Sequence, residues 1–204
     1  MTYREFKDYV LQLIHQYSIA GAQIPATYNN QADFLTRIPA LANDALVYLA
    51  TTARRLRASA ELVQCDSFGS WNVYELPDDF WQLRTGGLTG ADAAGNAVRA
   101  DRFRLLGERR IAVPAEPAAV WRAEYYRYPA ELPAEPADTE LLDCPPEAAY
   151  AAAFYAAAHL AMPDDPAAQA ALYNEFETRL SRLGELPAAE LGTVCGVYDW
   201  GDAE

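Results

Sequence analysis

The sequence predicts an α+β fold, mainly α, in which two pairs of helices flank an inserted antiparallel β-rich region. Apolar residues recur at helical spacing near both ends of the 204-residue chain, whereas the middle third favours strands and turns. A chain of this length can bury a sizeable core without a disulfide or metal. We therefore divide it into N-terminal helices (1–57), a β-rich insertion (58–128), a connector with C-terminal helices (129–184), and an extended tail (185–204).

The N-terminal segment is predicted to form two helices. Residues 3–18 carry one apolar stripe with spacings of three and four, and residues 31–57 carry a second. Pro39 lies inside the second stripe, and its ring should kink or divide that helix near Ile38.

A cluster of three arginines closes this predicted second helix, at Arg54, Arg55 and Arg57. Cations at a helix C-terminus oppose the negative end of the helix dipole. Arginine is also a good interface residue, because its planar fork pairs with two carboxylate oxygens. The cluster therefore either caps the helix or contacts acidic side chains of a neighbouring subunit.

The insertion is predicted to contain short strands. Residues 120–128 alternate well, with Trp121, Ala123 and Tyr125 on one face. The glycine-rich piece 86–95 is predicted to be a mobile loop. Other strands are expected over 60–63 and 73–76, and a hairpin is expected from 102–106 and 109–113 around Gly107-Glu108.

One turn in the insertion combines two acids with two aromatic residues. Proline at the first central position with aspartate next fits a type I turn, and neighbouring side chains there point in different directions. We predict a structural turn rather than a carboxylate pair, while an enzyme that uses Asp78, Asp79 or Glu75 remains the alternative. The residues of this turn are Tyr74, Leu76, Pro77, Asp78, Asp79 and Phe80.

The C-terminal segment is predicted to form two alanine-rich helices behind a proline-punctuated connector. Asp143 or Cys144 should cap the helix that runs to Ala161, and Asp164 or Asp165 should cap the helix that ends near Gly184. The acidic tail that follows has no helical stripe but contains Val194, Val197, Tyr198 and Trp200. Since a solvated tail seldom needs aromatic residues, we expect these four to dock on a partner.

Charge and composition limit the classes of function that the sequence supports. The net charge of −13 disfavours sequence-independent DNA binding, although DNA could pass through an acidic lumen without sticking. The three cysteines and two histidines show no metal-ligand spacing, and no nucleotide-binding or hydrolase motif is present. We expect no catalytic, cofactor-binding or metal-binding residues. No run suits a membrane span, and the N-terminus lacks the pattern of a secretion signal, so folding in a cytosol is expected.

The order of elements and three short motifs resemble a known family. The motifs are Tyr-x-Leu-Pro-x-Asp-Phe at 74–80, the helix start at 142–147, and Tyr173-x-x-Phe176 in the last helix. Over residues 3–184 the chain is similar to the head-tail connector (adaptor) proteins of tailed double-stranded DNA phages.

The resemblance implies a structural virion protein without enzymatic activity. Such proteins form a homo-oligomeric ring, typically of twelve copies, that is assembled in the host cytoplasm and docks beneath the capsid portal at the head–tail junction. Genomic DNA passes through the ring, which offers a platform to the next tail component, and the C-terminal segment often extends along the portal. The alternatives are a small hydrolase-type enzyme with a site in the β insertion, or a helical ligand-binding or regulatory protein.

Overall fold

The computed structural model describes residues 1–16, 31–92, 94–100, 102–115, 120–161 and 165–185. Within them the fold is α+β, with four helices and two four-stranded antiparallel sheets. The helices are α1 (Tyr3–Leu13), α2 (Gln31–Thr52), α3 (Pro146–Ala161) and α4 (Pro166–Glu185). The strands are β1 (Leu56–Glu61), β2 (Val63–Phe68), β3 (Trp71–Glu75), β4 (Phe80–Ala91), β5 (Ala97–Arg99), β6 (Arg104–Leu105), β7 (Arg110–Pro114) and β8 (Val120–Arg127).

Helix α1 is shorter than the predicted span of 3–18. Thr2 and Glu5 form a capping box at its start. At its end the Gln16 N–H donates to the Leu11 carbonyl at 2.8 Å, and His15 takes a φ of +60°. This pair of features is a Schellman-type stop. His15 lies inside the predicted span but is the left-handed residue that follows the C-cap, Ile14.

Helix α2 also departs from the predicted course. It continues through Pro39 without being divided near Ile38, because the buried side chains on either side of the proline pack into the core. It ends at Thr52 rather than at 57, since Leu56 already begins β1 and pairs with Arg127 of β8.

The four helices share one apolar cluster. Helix α3 lies at its centre, and eight of its alanines are buried, so that α1, α2 and α4 can each approach it closely. The large residues of the cluster come from all four helices and include Phe6, Ile38, Leu46, Leu160 and Phe176.

The two sheets have strand orders β1-β8-β4-β5 and β2-β3-β7-β6. Trp121, Ala123 and Tyr125 of β8 are buried, as their alternation predicts, and they share a second apolar cluster with Tyr74 and Ile111 of the other sheet. The sheets therefore pack face to face as a sandwich. The expected hairpin is confirmed, with Leu105 opposite Ile111 across the turn at 106–109.

Two other predictions about the strands were wrong. The segment 60–63 is not one strand, because β1 ends at Glu61 and β2 starts at Val63, with the buried Leu62 between them. The predicted loop 86–95 lies largely inside β4, where Leu88 pairs with Ala123.

A bulge explains the glycines of β4. The pairing of β4 with β8 shifts register between Leu83 and Leu88. Gly86 has a φ of +66°, and a Cβ on Gly87 would lie 2.3 Å from the Glu124 carbonyl oxygen. Glycine is thus required for backbone conformation and close approach, and it does not mark a loop here.

The connector follows the helices without regular structure of its own. Leu141 bridges to Thr2, and the Tyr3 N–H donates to the Glu140 carbonyl at 2.7 Å. The Asn43 side chain of α2 bonds both the N–H and the carbonyl of Leu132. The connector is therefore tied to α1 and to α2.

The predictions for the N-terminal caps of the last two helices have different outcomes. Asp165 accepts hydrogen bonds from the N–H groups of Ala167 and Ala168, as an N-cap does. Asp143 does not cap α3, and the N–H groups of Ala148 and Ala149 in the first turn donate to the Pro145 carbonyl. The Asp143 carboxylate instead accepts from the Ala130 N–H and from Arg127.

Candidate functional site

The predicted turn after β3 is a β-turn over Pro77–Phe80. The Phe80 N–H donates to the Pro77 carbonyl at 3.0 Å. Pro77 thus occupies the first position of the turn, one place earlier than the sequence suggested, and Asp78 and Asp79 occupy the two central positions. Phe80 already belongs to β4.

The two aspartates of this turn have separate partners. Asp78 is an exposed carboxylate that pairs with Arg109. Asp79 accepts a hydrogen bond from the Tyr125 hydroxyl at 2.8 Å, and its carbonyl accepts from the Tyr128 N–H, also at 2.8 Å. Within the described residues no group of His, Cys, Asp and Glu side chains could hold a metal ion. The turn therefore joins the hairpin around Arg109 to the end of β8.

The bond between Tyr125 and Asp79 makes the alkaline stability of the fold testable. Burial, together with the hydrogen bond to Asp79, raises the pKa of Tyr125 to about 12. A free tyrosine has a pKa of about 10. A raised folded-state pKa stabilises the fold fully below pH 10, and this contribution is lost as the pH rises from 10 through 12.

We expect Tyr125→Phe to cost about 1 kcal/mol of unfolding free energy at pH 7, because Asp79 loses its donor. The difference from wild type should shrink above pH 10. Urea unfolding followed by circular dichroism between pH 7 and 11 would measure it. Tyr126→Phe, on the same strand, is the control, since only ring contacts of Tyr126 occur among the described residues. A pH-independent difference for Tyr125→Phe would contradict the expectation.

The arginines at the end of α2 do not lie on a helix. Arg54 and Arg55 lie between α2 and β1, and Arg57 lies in β1. The Arg55 guanidinium sits over two aromatic rings, 5.0 Å from the centroid of Tyr126 and 5.6 Å from that of Trp81. It covers an aromatic surface of the sandwich by cation–π contact. The cluster therefore follows the helix end instead of lying on its last turn, and both interpretations of it, helix capping and a role between subunits, stay predictions.

An ion pair joins the sandwich to the connector. Arg127, the last residue of β8, contacts both carboxylate oxygens of Asp143, with Nη2 at 2.7 Å from Oδ1. Both side chains are about one quarter exposed. The hydrogen bond from Arg127 is the main cause of the lowered pKa of Asp143. The adjacent Cys144 thiol is half-buried, and this desolvation raises its pKa to about 12, so it is a poor nucleophile.

Large apolar side chains are exposed at several places. Three lie on the hairpin of β6 and β7, and two lie where α2 meets the connector. Scattered exposed apolar residues are ordinary, but groups of them indicate contact with other molecules. The hairpin members are Phe103, Leu105 and Leu106, and those near the connector are Val47 and Tyr128.

Sequence reasoning named the turn but missed both apolar groups and the pair of Arg127 with Asp143. The repeated arginines between Arg102 and Arg110 were a signal that could have pointed to the hairpin. The tail residues Val194, Val197, Tyr198 and Trp200 lie outside the described residues. No helix in the described ranges is both long and apolar enough to cross a membrane.

No protein-family model and no curated protein matches this sequence.

Proposed function

We propose that this chain is a structural virion protein, a ring adaptor between the capsid portal and the tail of a tailed double-stranded DNA phage. The observation that carries the proposal is that the helices before and after the β insertion share one core, with the Tyr-x-Leu-Pro-x-Asp-Phe turn between β3 and β4 of the insertion. This is the arrangement that the resemblance to head-tail connectors implies.

The surface chemistry supports assembly rather than catalysis. Asp78 and Asp79 bind different partners, which gives no support to the hydrolase alternative, and Glu75 is exposed on β3. The exposed apolar groups are suited to protein contacts. In the proposed ring the acidic balance lets DNA pass through the lumen without gripping it, and the tail docks on the portal.

The experiment is to mix the purified protein with the portal of the same phage and to image the complex by electron microscopy. We expect a closed ring, of about twelve copies, on one face of the portal. A monomer in isolation is compatible with the proposal, because assembly can require the platform. Failure to join the portal would count against it.

The aromatic tail provides a variant for the same assay. Tyr198→Ala with Trp200→Ala should weaken portal binding at least about tenfold, since buried aromatic anchors carry much of an interface's binding energy. Asp202→Asn is the control in the same segment and should bind normally. Unchanged affinity of the double variant would place the portal contact elsewhere on the chain.

A further inference from the structure

The hairpin of β6 and β7 is a basic surface on an acidic protein. We call residues 102–110 the arginine hairpin. It contains Arg102, Arg104, Arg109 and Arg110 against the single acid Glu108, and every one of its residues is exposed. The whole chain has 16 basic residues and 29 acidic ones, so a quarter of the bases lie in these nine positions. Such a concentration favours an acidic partner.

The hairpin also exposes apolar side chains, which distinguishes its partner from a nucleic acid. Phe103, Leu105 and Leu106 are 42%, 54% and 38% exposed. A phosphate backbone uses the charge of a basic surface but offers nothing for leucine side chains. Arginine mixed with aromatic and aliphatic residues is typical of protein interfaces. The chemistry therefore favours an acidic protein surface with apolar residues of its own.

Among the described residues, two of the four arginine side chains contact other side chains of the same chain and two do not. Arg104 lies 4.9 Å above the ring of Trp71, and Arg109 pairs with Asp78. Neither Arg102 nor Arg110 has an ion pair, side-chain hydrogen bond or ring contact among the described residues. Their charges are available to a partner.

A complementary surface occurs on the same chain. A groove of about 370 Å³ lies between α2 and the start of the connector, and we call it the acidic groove. Asp44 and Glu131 are the charged residues in its lining, while Val47 and Tyr128 supply exposed apolar area at 40% and 39%. Its volume lies within the range of about 300–1,000 Å³ that is usual for ligand pockets. Its negative charge is complementary to the positive charge of the arginine hairpin, and both surfaces expose apolar side chains.

We propose that the arginine hairpin of one copy docks in the acidic groove of a second copy of this chain. The Pro77–Phe80 turn contacts both surfaces, through Asp78 to Arg109 and through Asp79 to Tyr128, so their relative placement is held by the fold. Because the two surfaces are different, the contact can repeat from copy to copy. The inference rests on the proposed ring and names the surfaces that join its neighbours.

The test uses one charge reversal on each surface. Arg102→Glu alters the hairpin outside its strands, and Glu131→Arg alters the groove. Each single variant should weaken self-association at least about tenfold in sedimentation velocity, because like charges then face each other. An equimolar mixture of the two variants should associate like wild type, since every hairpin then meets a groove of opposite charge. Arg182→Glu on α4 and Glu135→Arg on the connector, two exposed reversals elsewhere, should leave association unchanged.

Several results of this experiment would overturn the inference or reassign the hairpin. Single variants that associate like wild type, or a mixture that fails to recover, would overturn the inference. If the wild-type protein is monomeric alone, the variants are compared on the portal, where single variants that still form the wild-type ring would overturn the inference. Loss of double-stranded DNA binding in Arg102→Glu, with self-association intact, would reassign the hairpin to nucleic acid. In each case a ring on the portal would leave the proposed function standing, whereas failure to join the portal would count against that function alone.

Discussion

Trp121→Ala is expected to lower the unfolding free energy by about 3–5 kcal/mol, the range for truncating a large aromatic residue in a core. Trp121 is 1% exposed and belongs to the cluster that joins the two sheets. Removing its indole leaves a cavity between the sheets, which can relax only in part. Urea unfolding followed by circular dichroism would measure the loss.

A second substitution at Trp121 separates the effect of its indole N–H from that of its ring. Among the described residues, the Trp121 indole N–H is buried without a hydrogen-bond partner. Trp121→Phe removes this unsatisfied donor while retaining an aromatic ring, so we expect a cost of about 1 kcal/mol or less.

Trp81→Ala is the matched control for Trp121→Ala. Trp81 is only half-buried, and it packs on the surface beside Arg55. Its truncation should cost about 1 kcal/mol, as the loss of a partly exposed cation–π contact suggests. If the two tryptophans proved equally sensitive, the core of the sandwich would not be centred on Trp121.

Arg127→Ala is expected to cost about 2 kcal/mol at pH 7, because it leaves the partly buried Asp143 carboxylate with one backbone donor. The matched control is Arg84→Ala, which breaks a single-contact pair with the more exposed Glu124. That change should cost 1 kcal/mol at most, as about 0–1 kcal/mol is usual for surface pairs.

The pH dependence of the Arg127 effect follows from Asp143. The pair lowers the pKa of Asp143 in the folded state, so its stabilisation is fully present above the unfolded pKa of about 3.9. It is lost as the pH falls below that value and through the folded pKa. The difference between wild type and Arg127→Ala should therefore shrink as the pH falls below about 4 in urea titrations. A difference that stays constant to pH 2.5 would show that Arg127 acts through packing alone.

Local signals in the sequence predicted much of the fold. The alternation of Trp121, Ala123 and Tyr125 identifies β8 and its buried face, because strand side chains alternate with a period of two. Asp165 before Pro166 identifies the start of α4, because capping depends on adjacent residues. Such features involve few neighbours and can be read from the chain itself.

Features that depend on distant segments could not be predicted. The glycines of β4 resemble a loop in sequence, but the nearby Glu124 carbonyl makes Gly87 necessary inside a strand. Asp143 resembles a helix cap, yet Arg127 competes for its carboxylate. Arg55 resembles a helix-end cation, yet it lies on the rings of Trp81 and Tyr126. In each case a partner from another element decides which of two local roles the residue takes.

The stretch from Tyr74 to Phe80 also combines local features that the sequence predicts with distant contacts that it does not. The sequence by itself determined that a turn follows β3 and predicted that its two aspartates point in different directions, because proline and adjacent residues restrict the local backbone. Only the tertiary structure decided what that turn connects, since Tyr125 reaches it from β8, while Arg109 and Tyr128 reach it from just before β7 and just after β8. Contacts between separate strands depend on how the sheets pack, and no local pattern encodes that packing.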